Sequence, residues 1–327
     1  MHFLADYGIF LLKTLTLVIA FIAVLMTITA LSVKNKIKEK LVIKNLNKRL
    51  KKRVNSLKEQ ILSKTDYKKI LKTEKKQAKA KQDKTKNRLF VLNFHGDIKA
   101  SAVETLREEI SAVLQVAKPK DEVVVLLESP GGMVHQYGLA ASQLDRIRQA
   151  KIPLTVCVDK VAASGGYLMA CVADKIVAAP FAIVGSIGVI AQLPNFHRLL
   201  KKNDIDFEQI TAGEFKRTLT VFGENTDKAR EKFKTDLEEI HQQFKDYITQ
   251  HRPQVDIKAV ATGEHWLGSK AKALNLLDEL QTSDDYLIDK SKHMDVFLIK
   301  FVIKKPMSAK FSHFIQTAYE TLFSRWH

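Results

Sequence analysis

The sequence predicts an α/β fold built from repeated strand–helix units with largely parallel pairing, and three observations predict it. Short apolar runs recur at 89–94, 122–127 and 153–158, the last rich in β-branched residues, at the spacing of about 30 residues that a strand–crossover–strand unit needs. The segments between them carry apolar residues at helical period. The turns that follow the strands are rich in small residues, as in folds that gather ligands at the carboxyl ends of their strands. With 327 residues and 46% hydrophobic content there is material for one large or two small domains with a proper core.

Ahead of this region, residues 14–32 form an uncharged run of 19, extended towards Tyr7 if Lys13 snorkels to the interface. About 20 such residues span a bilayer, so one transmembrane helix is expected. The run is long for a cleaved signal peptide, and Ile28-Thr29-Ala30 is a poor cleavage site. Residues 34–88 then hold 22 Lys and Arg against five Asp and Glu, a net +17 that equals the charge of the whole chain. Positive charge beside a single span predicts that the polypeptide after it stays cytoplasmic, with the short N-terminus outside. Ile43, Leu46, Leu50, Val54, Leu57 and Ile61 are spaced as one face of a helix, which predicts a juxtamembrane helix packing on a partner or on its own domain. Residues 73–87 read as a solvated linker. A nucleic-acid arm is disfavoured, because only Tyr67 is available to stack on bases and anionic lipid accounts for the charge.

From residue 89 the elements follow in order. The strand 89–94 leads to a helix over 101–117 with Val103, Leu106, Ile110 and Val113 on one face. The strand 122–127 runs into Ser129-Pro130-Gly131-Gly132, and a helix follows over 134–150. The strand 153–158 leads to Ser164, and residues 167–173 read as a short buried helix. Both Ser129–Gly132 and Ser164 lie at carboxyl ends of strands and can face one cleft.

Ser164, at a strand-to-helix switch and followed by two glycines, is the candidate nucleophile. The free amides of a helix's first turn favour a developing negative charge there. The alternative is a helix N-cap. In Ser129-Pro130-Gly131-Gly132, proline fixes one dihedral and glycine permits positive φ, presenting backbone amides that can form an oxyanion hole. Gly185-Ser186-Ile187-Gly188-Val189 sets a second serine inside an apolar run, where it needs a hydrogen-bond partner if buried. Gly213-Glu214-Phe215-Lys216-Arg217 follows an expected strand over 207–211 and places Lys216 at its end; alone, Lys216 reads as a surface lysine.

These motifs in this order resemble the signal peptide peptidase A family of serine peptidases, most closely its SohB branch, over residues 89–281 and in the long N-terminal region with its span. The resemblance implies a ClpP/crotonase-like fold and a Ser-Lys dyad, with Ser164 as nucleophile and Lys216 as general base. It implies Ser186 as the hydroxyl that orients the lysine, and the Gly131 amide with its neighbours Gly132 and Gly165 as the oxyanion hole. It implies a polypeptide substrate, membrane-derived fragments such as spent signal peptides among them, and a homo-oligomer, since single-domain members form rings. Relatives of this kind work on the outer side of the bacterial inner membrane, whereas the charge of residues 34–88 favours the cytoplasm. The organisation expected is an anchor at 1–33, a basic helix and linker at 34–88, a peptidase domain at 89–290 and an amphipathic extension at 291–327.

The chemistry stands beside the resemblance. A lysine acts as a base near neutrality only when desolvation or nearby cations lower its pKa by several units from about 10.4. Phe215, Phe222 and Arg217 are compatible with that. None of the ten histidines sits in a nucleophile motif, and no metal or cofactor is expected. Cys157 and Cys171 lie in apolar runs and read as inert core thiols. Residues 226–251 form a charged helix capped by Thr226, with Phe233, Leu237, Ile240, Phe244 and Tyr247 or Ile248 on one face. Asn275 stands where the family pattern carries glycine, and asparagine tolerates a left-handed helix end. Residues 295–326 are apolar with interspersed Lys and too short and charged to span; packing on the domain, on another subunit or on lipid are expected in that order. A crotonase-type acyl-CoA enzyme and an inert membrane scaffold are the alternatives; Ser-Lys pairing and the membrane tether disfavour the first.

Overall fold

An uncharged run long enough to cross a bilayer has nothing in it to break a helix, and it forms one uninterrupted helix, α1 (His2–Val33). Within it Asp6–Met26 has a mean hydropathy of 2.6 and leaves its side chains exposed, so this helix is long and apolar enough to cross a membrane. The computed structural model describes residues 2–33, 38–80 and 86–304. The chain divides into two units, Met1–Val42 with Phe301–His327, and Ile43–Lys300.

The second unit opens with the end of β1 (Lys38–Asn45), then α2 (Leu46–Ile61) and α3 (Lys64–Ala80). The expected helix starts later than its apolar stripe suggests, because Ile43 lies in β1 and Asn45 accepts a hydrogen bond from the Lys48 amide at 2.9 Å, which fixes the helix start. Leu46 packs on the core, while Val54, Leu57 and Ile61 stay exposed. The linker expected from residue 73 is helical as far as Ala80: alanine and lysine favour helix, and Lys58 of α2 holds Glu74 of α3 at 2.7 Å. Of the rest of the expected linker, residues 81–85 lie outside the described residues and 86–87 have no regular structure.

The strand–helix alternation then runs as β2 (Arg88–His95), α4 (Val103–Val116), β3 (Glu122–Glu128), α5 (Val134–Gln149), β4 (Leu154–Val158), β5 (Val161–Ala163), α6 (Gly165–Ala170), β6 (Lys175–Ala178) and β7 (Ile183–Gly185). After these come α7 (His197–Lys202), α8 (Asp227–His251), α9 (Ile257–Val260), β8 (His265–Leu267), α10 (Gly268–Ala273), β9 (Glu279–Leu280), α11 (Ser283–His293) and β10 (Asp295–Lys304). The main sheet has the order β1-β10-β2-β3-β4-β6-β9, and every pair from β10 to β9 is parallel. This is the α/β class the sequence predicts. Strands β2, β3 and β4 read as unbroken apolar runs because both faces are covered, with Leu89, Val91, Val124, Cys157, Val177, Tyr286 and Val296 forming one core cluster.

Two expectations are corrected. The chain does not reach Ser164 on the strand 153–158: β4 ends at Val158, and β5 enters a second, three-stranded sheet of order β5-β7-β8. A single parallel bridge between Ser129 and Ala162 joins β5 to the loop after β3. No strand forms over 207–211; Phe207 packs instead on Phe222, ring centroids 5.7 Å apart, and Phe222 on Phe196 at 6.2 Å. Elsewhere the local chemistry follows expectation. Thr226 Oγ1 caps α8 by accepting from the Ala229 amide at 3.2 Å, and Asn275 takes a φ of 58° after α10. Residues 295–304 join the sheet as β10, whose register runs from Asp295 beside Arg88 to Leu298 beside Val91; residues 305–327 lie outside those described.

Candidate functional site

Ser164 follows β5 and precedes α6, and its backbone explains its position. Its amide donates to Gly185 O at 2.8 Å, continuing the β5–β7 pairing, while its carbonyl accepts from the Leu168 amide at 3.0 Å, starting the helix. Serving both elements at once forces a φ of 52° and ψ of −119°, a conformation that costs a non-glycine residue roughly 1–3 kcal/mol. The side chain makes no capping bond, and Oγ has no hydrogen-bond partner among the described residues. Ser164 thus holds the N-cap position of α6 without using its side chain as the cap.

Ser186 stands beside it by register. Ala163 and Gly185 are partners across β5 and β7, so the next residues, Ser164 and Ser186, leave the two strand ends side by side. Ser186 also has positive φ, 53°, and its amide donates to Glu264 O at 2.6 Å.

The loop after β3 closes the other side. Gly131 has a φ of 92°, and a Cβ there would lie 2.8 Å from Ser164 Cβ, Ala163 O and Gly165 N, so only glycine lets this turn touch the serine. Its amide donates to Ser129 Oγ at 3.1 Å and is engaged. The amides of Gly132 and Gly165 have no partner among the described residues. Behind the loop, the Ser129 and Tyr137 hydroxyls lie 2.6 Å apart, and Tyr137 donates to Asp97 O at 2.8 Å. Tyr137 is a site residue that the motifs do not reveal. Its only sequence signal is a place on the buried face of α5, which any core aromatic shares.

A cavity of 370 Å³ is lined by Ser164, Gly132 and Gly165 together with apolar side chains that include Leu168 of α6 and Ile240 and Phe244 of α8. The amphipathic face expected of α8 thus forms a wall of this cavity.

Lys216 is not brought to Ser164 within one chain. It is exposed, in the irregular segment between α7 and α8, and lines a separate cavity with Ile210, Thr211 and Phe222. Phe215 is also exposed, with the Lys228 and Lys232 amines 5.9 and 5.8 Å from its ring centroid. The desolvated surroundings a lysine base requires are not built around Lys216 here. Cys157 and Cys171 are buried and unpaired; burial pushes the Cys157 thiol up to about 12 and raises Cys171 as well, so both are inert at neutral pH.

Two family models match the chain: residues 2–144 match Peptidase family S49 N-terminal, and residues 146–296 match Peptidase family S49. The "Probable protease SohB" of Haemophilus influenzae is 51% identical over 323 residues, covering 94% of this chain and 92% of that protein. Among solved structures, the 1510-N membrane-bound stomatin-specific protease in complex with a substrate peptide aligns with a TM-score of 0.43 and 15% identity, over 71% of this chain and 99% of that one. A ClpP1 variant from Listeria monocytogenes aligns with a TM-score of 0.39 and 13% identity, over 62% and 94%.

Proposed function

The chain belongs to peptidase family S49 and is a serine protease of that family; on that premise we propose that it is a membrane-anchored endopeptidase in which Ser164 is the nucleophile and Lys216 the general base. One observation carries the nucleophile: a strained serine with an uncommitted Oγ shares the wall of an apolar cavity with Gly132 and Gly165, whose amides are uncommitted among the described residues. Ser164 Oγ attacks the scissile carbonyl carbon as neutral Lys216 takes its proton. The carbonyl oxygen, now an anion, is received by the Gly132 and Gly165 amides, with Gly131 shaping the turn that aims them. Collapse of the tetrahedral species passes the proton from Lys216 to the leaving amine, and water then hydrolyses the acyl-enzyme. Ser186, beside Ser164, orients the lysine. The cavity suits an apolar substrate side chain, which supports membrane-derived peptides as the substrate class.

The pair is completed between two copies of the chain. Lys216 is exposed and lines a different cavity from Ser164, and each cavity carries a large exposed apolar residue, Ile190 at 78% beside Ser164 and Ile210 at 95% beside Lys216. Burying such a surface against a second copy supplies the desolvation the lysine needs. Helix α1 anchors the protein in the bacterial inner membrane, and the basic residues that follow it hold anionic lipid and keep the protease domain on the cytoplasmic side.

Subunit mixing tests this reading. Ser164→Ala and Lys216→Ala proteins are each inactive alone, and exchange of equal amounts restores about a quarter of the sites, as random pairing of neighbours requires. Mixtures as inactive as their components would show that the pair does not span two copies.

A further inference from the structure

Ser129 is fully buried inside the turn that touches the nucleophile, and Tyr137 is fully buried behind it. Their hydrogen bonds have one consistent direction. A phenol has a single proton, and that of Tyr137 goes to Asp97 O at 2.8 Å. The proton between the two hydroxyls, 2.6 Å apart, therefore belongs to Ser129. Ser129 Oγ in turn accepts from the Gly131 amide at 3.1 Å. The result is a one-way relay of donors from Gly131 through Ser129 and Tyr137 to the backbone of the loop after β2, with each group satisfied.

The packing around this relay leaves it little freedom. A Cβ at Gly96 would lie 2.3 Å from both hydroxyl oxygens, one at Gly165 would lie 2.4 Å from the Tyr137 ring, and one at Gly166 would lie 2.6 Å from Ser129 O. Three glycines thus admit the pair to the loop after β2 and to the first turn of α6 that follows Ser164. The same loops are tied again by the Gly96 amide to Glu128 O at 2.9 Å and by the Met133 amide to Ile98 O at 2.9 Å. Burial pushes the Tyr137 phenol above its ordinary value, so it stays a protonated donor across the neutral range.

We propose that Ser129 and Tyr137 are positioning residues for the oxyanion hole: by holding the Gly131 amide they fix the turn, and so the direction in which the Gly132 amide points relative to Ser164. The proposal rests on Ser164 being the nucleophile. Its chemical logic is that a donor serves an oxyanion only when it is aimed before the charge develops, and displacements of a fraction of an ångström suffice to lose the effect. Engaging Gly131 in the relay also keeps that amide from competing for substrate in the ground state.

The test uses the full chain in detergent, with turnover expressed per site titrated by a fluorophosphonate. A peptide aldehyde, which forms a tetrahedral adduct, is compared with the matching peptide alcohol, which does not. Tyr137→Phe keeps the ring against Gly165 and removes only the hydroxyl; Ser129→Ala removes the next link. In each, kcat and aldehyde affinity should fall together by about tenfold, while KM and alcohol affinity stay within about twofold. The double variant should be no worse than either single one, since breaking any link releases the turn. Should Ser129→Ala fail to fold, Tyr137→Phe carries the test alone. Unchanged kcat per site and unchanged aldehyde affinity overturn the positioning role, as does an equal loss of aldehyde and alcohol. Failure of wild-type protein to react at Ser164 counts instead against the nucleophile on which the proposal rests.

Discussion

At the scale of single residues, two serines take a conformation that serines avoid. Ser164 and Ser186, with φ of 52° and 53°, sit at adjacent ends of paired strands, and the strain is held in place by backbone bonds to Gly185 O and Glu264 O. A lysine that must be neutral to accept a proton still needs its orientation fixed, and a hydroxyl can donate to it or accept from it as its charge changes. Replacing Ser186 by Ala is therefore expected to lower kcat by roughly one to three powers of ten and to shift the acidic limb of the pH–rate profile, while Ser164 is still acylated. Activity rises on that limb as the lysine loses its proton, so a limb and a kcat that do not move would reduce Ser186 to a packing residue. In the sequence, glycines in apolar runs mark Ser164 and Ser186, and it is the order of the motifs and the family resemblance that assign them roles. Tyr137 was not legible, because its partner Asp97 O lies 40 residues upstream and comes within reach only when the loop after β2 folds over the turn after β3.

At the scale of elements, strands buried on both faces were readable from their apolar runs, whereas elements fixed by a partner were not. Residues 207–211 have strand-like composition but pair with no strand, and their aromatic side chain packs on Phe222 instead. Helix α2 is a second case: a local Asn45 cap sets its start, but contacts distant in sequence fix where it docks. Asn47 donates to Ser291 O at 2.9 Å and Met294 O at 3.0 Å, and accepts from the Val296 amide at 2.7 Å. One amide side chain thereby ties α2 to the end of α11 and the start of β10. Asn47→Ala leaves those backbone groups without partners and is expected to destabilise the fold by about 2 kcal/mol. Urea unfolding of the full chain measures this, and a midpoint equal to that of the wild type would show that the tie contributes nothing.

At the scale of the whole molecule, charge is segregated: residues 34–88 carry a net +17 and the remainder is neutral. Placed beside a helix able to cross a bilayer, that segment predicts a protease domain on the cytoplasmic side. Protease added to intact spheroplasts should leave the domain whole, and its degradation from outside would reverse the orientation. The long apolar helix and the protease family were legible from hydropathy and motif order. The placement of Lys216 and Ser164 in separate cavities was not, because motif order along a chain does not fix distances in the fold.

The most direct measurement is the site of reaction with a fluorophosphonate, mapped by peptide mass spectrometry on the intact protein in detergent. The adduct is predicted on Ser164, absent in Ser164→Ala and formed at least about a hundredfold more slowly in Lys216→Ala, because the hydroxyl reacts only when a base takes its proton. An adduct on another serine, or undiminished reaction of Lys216→Ala, would contradict the pairing of Ser164 with Lys216.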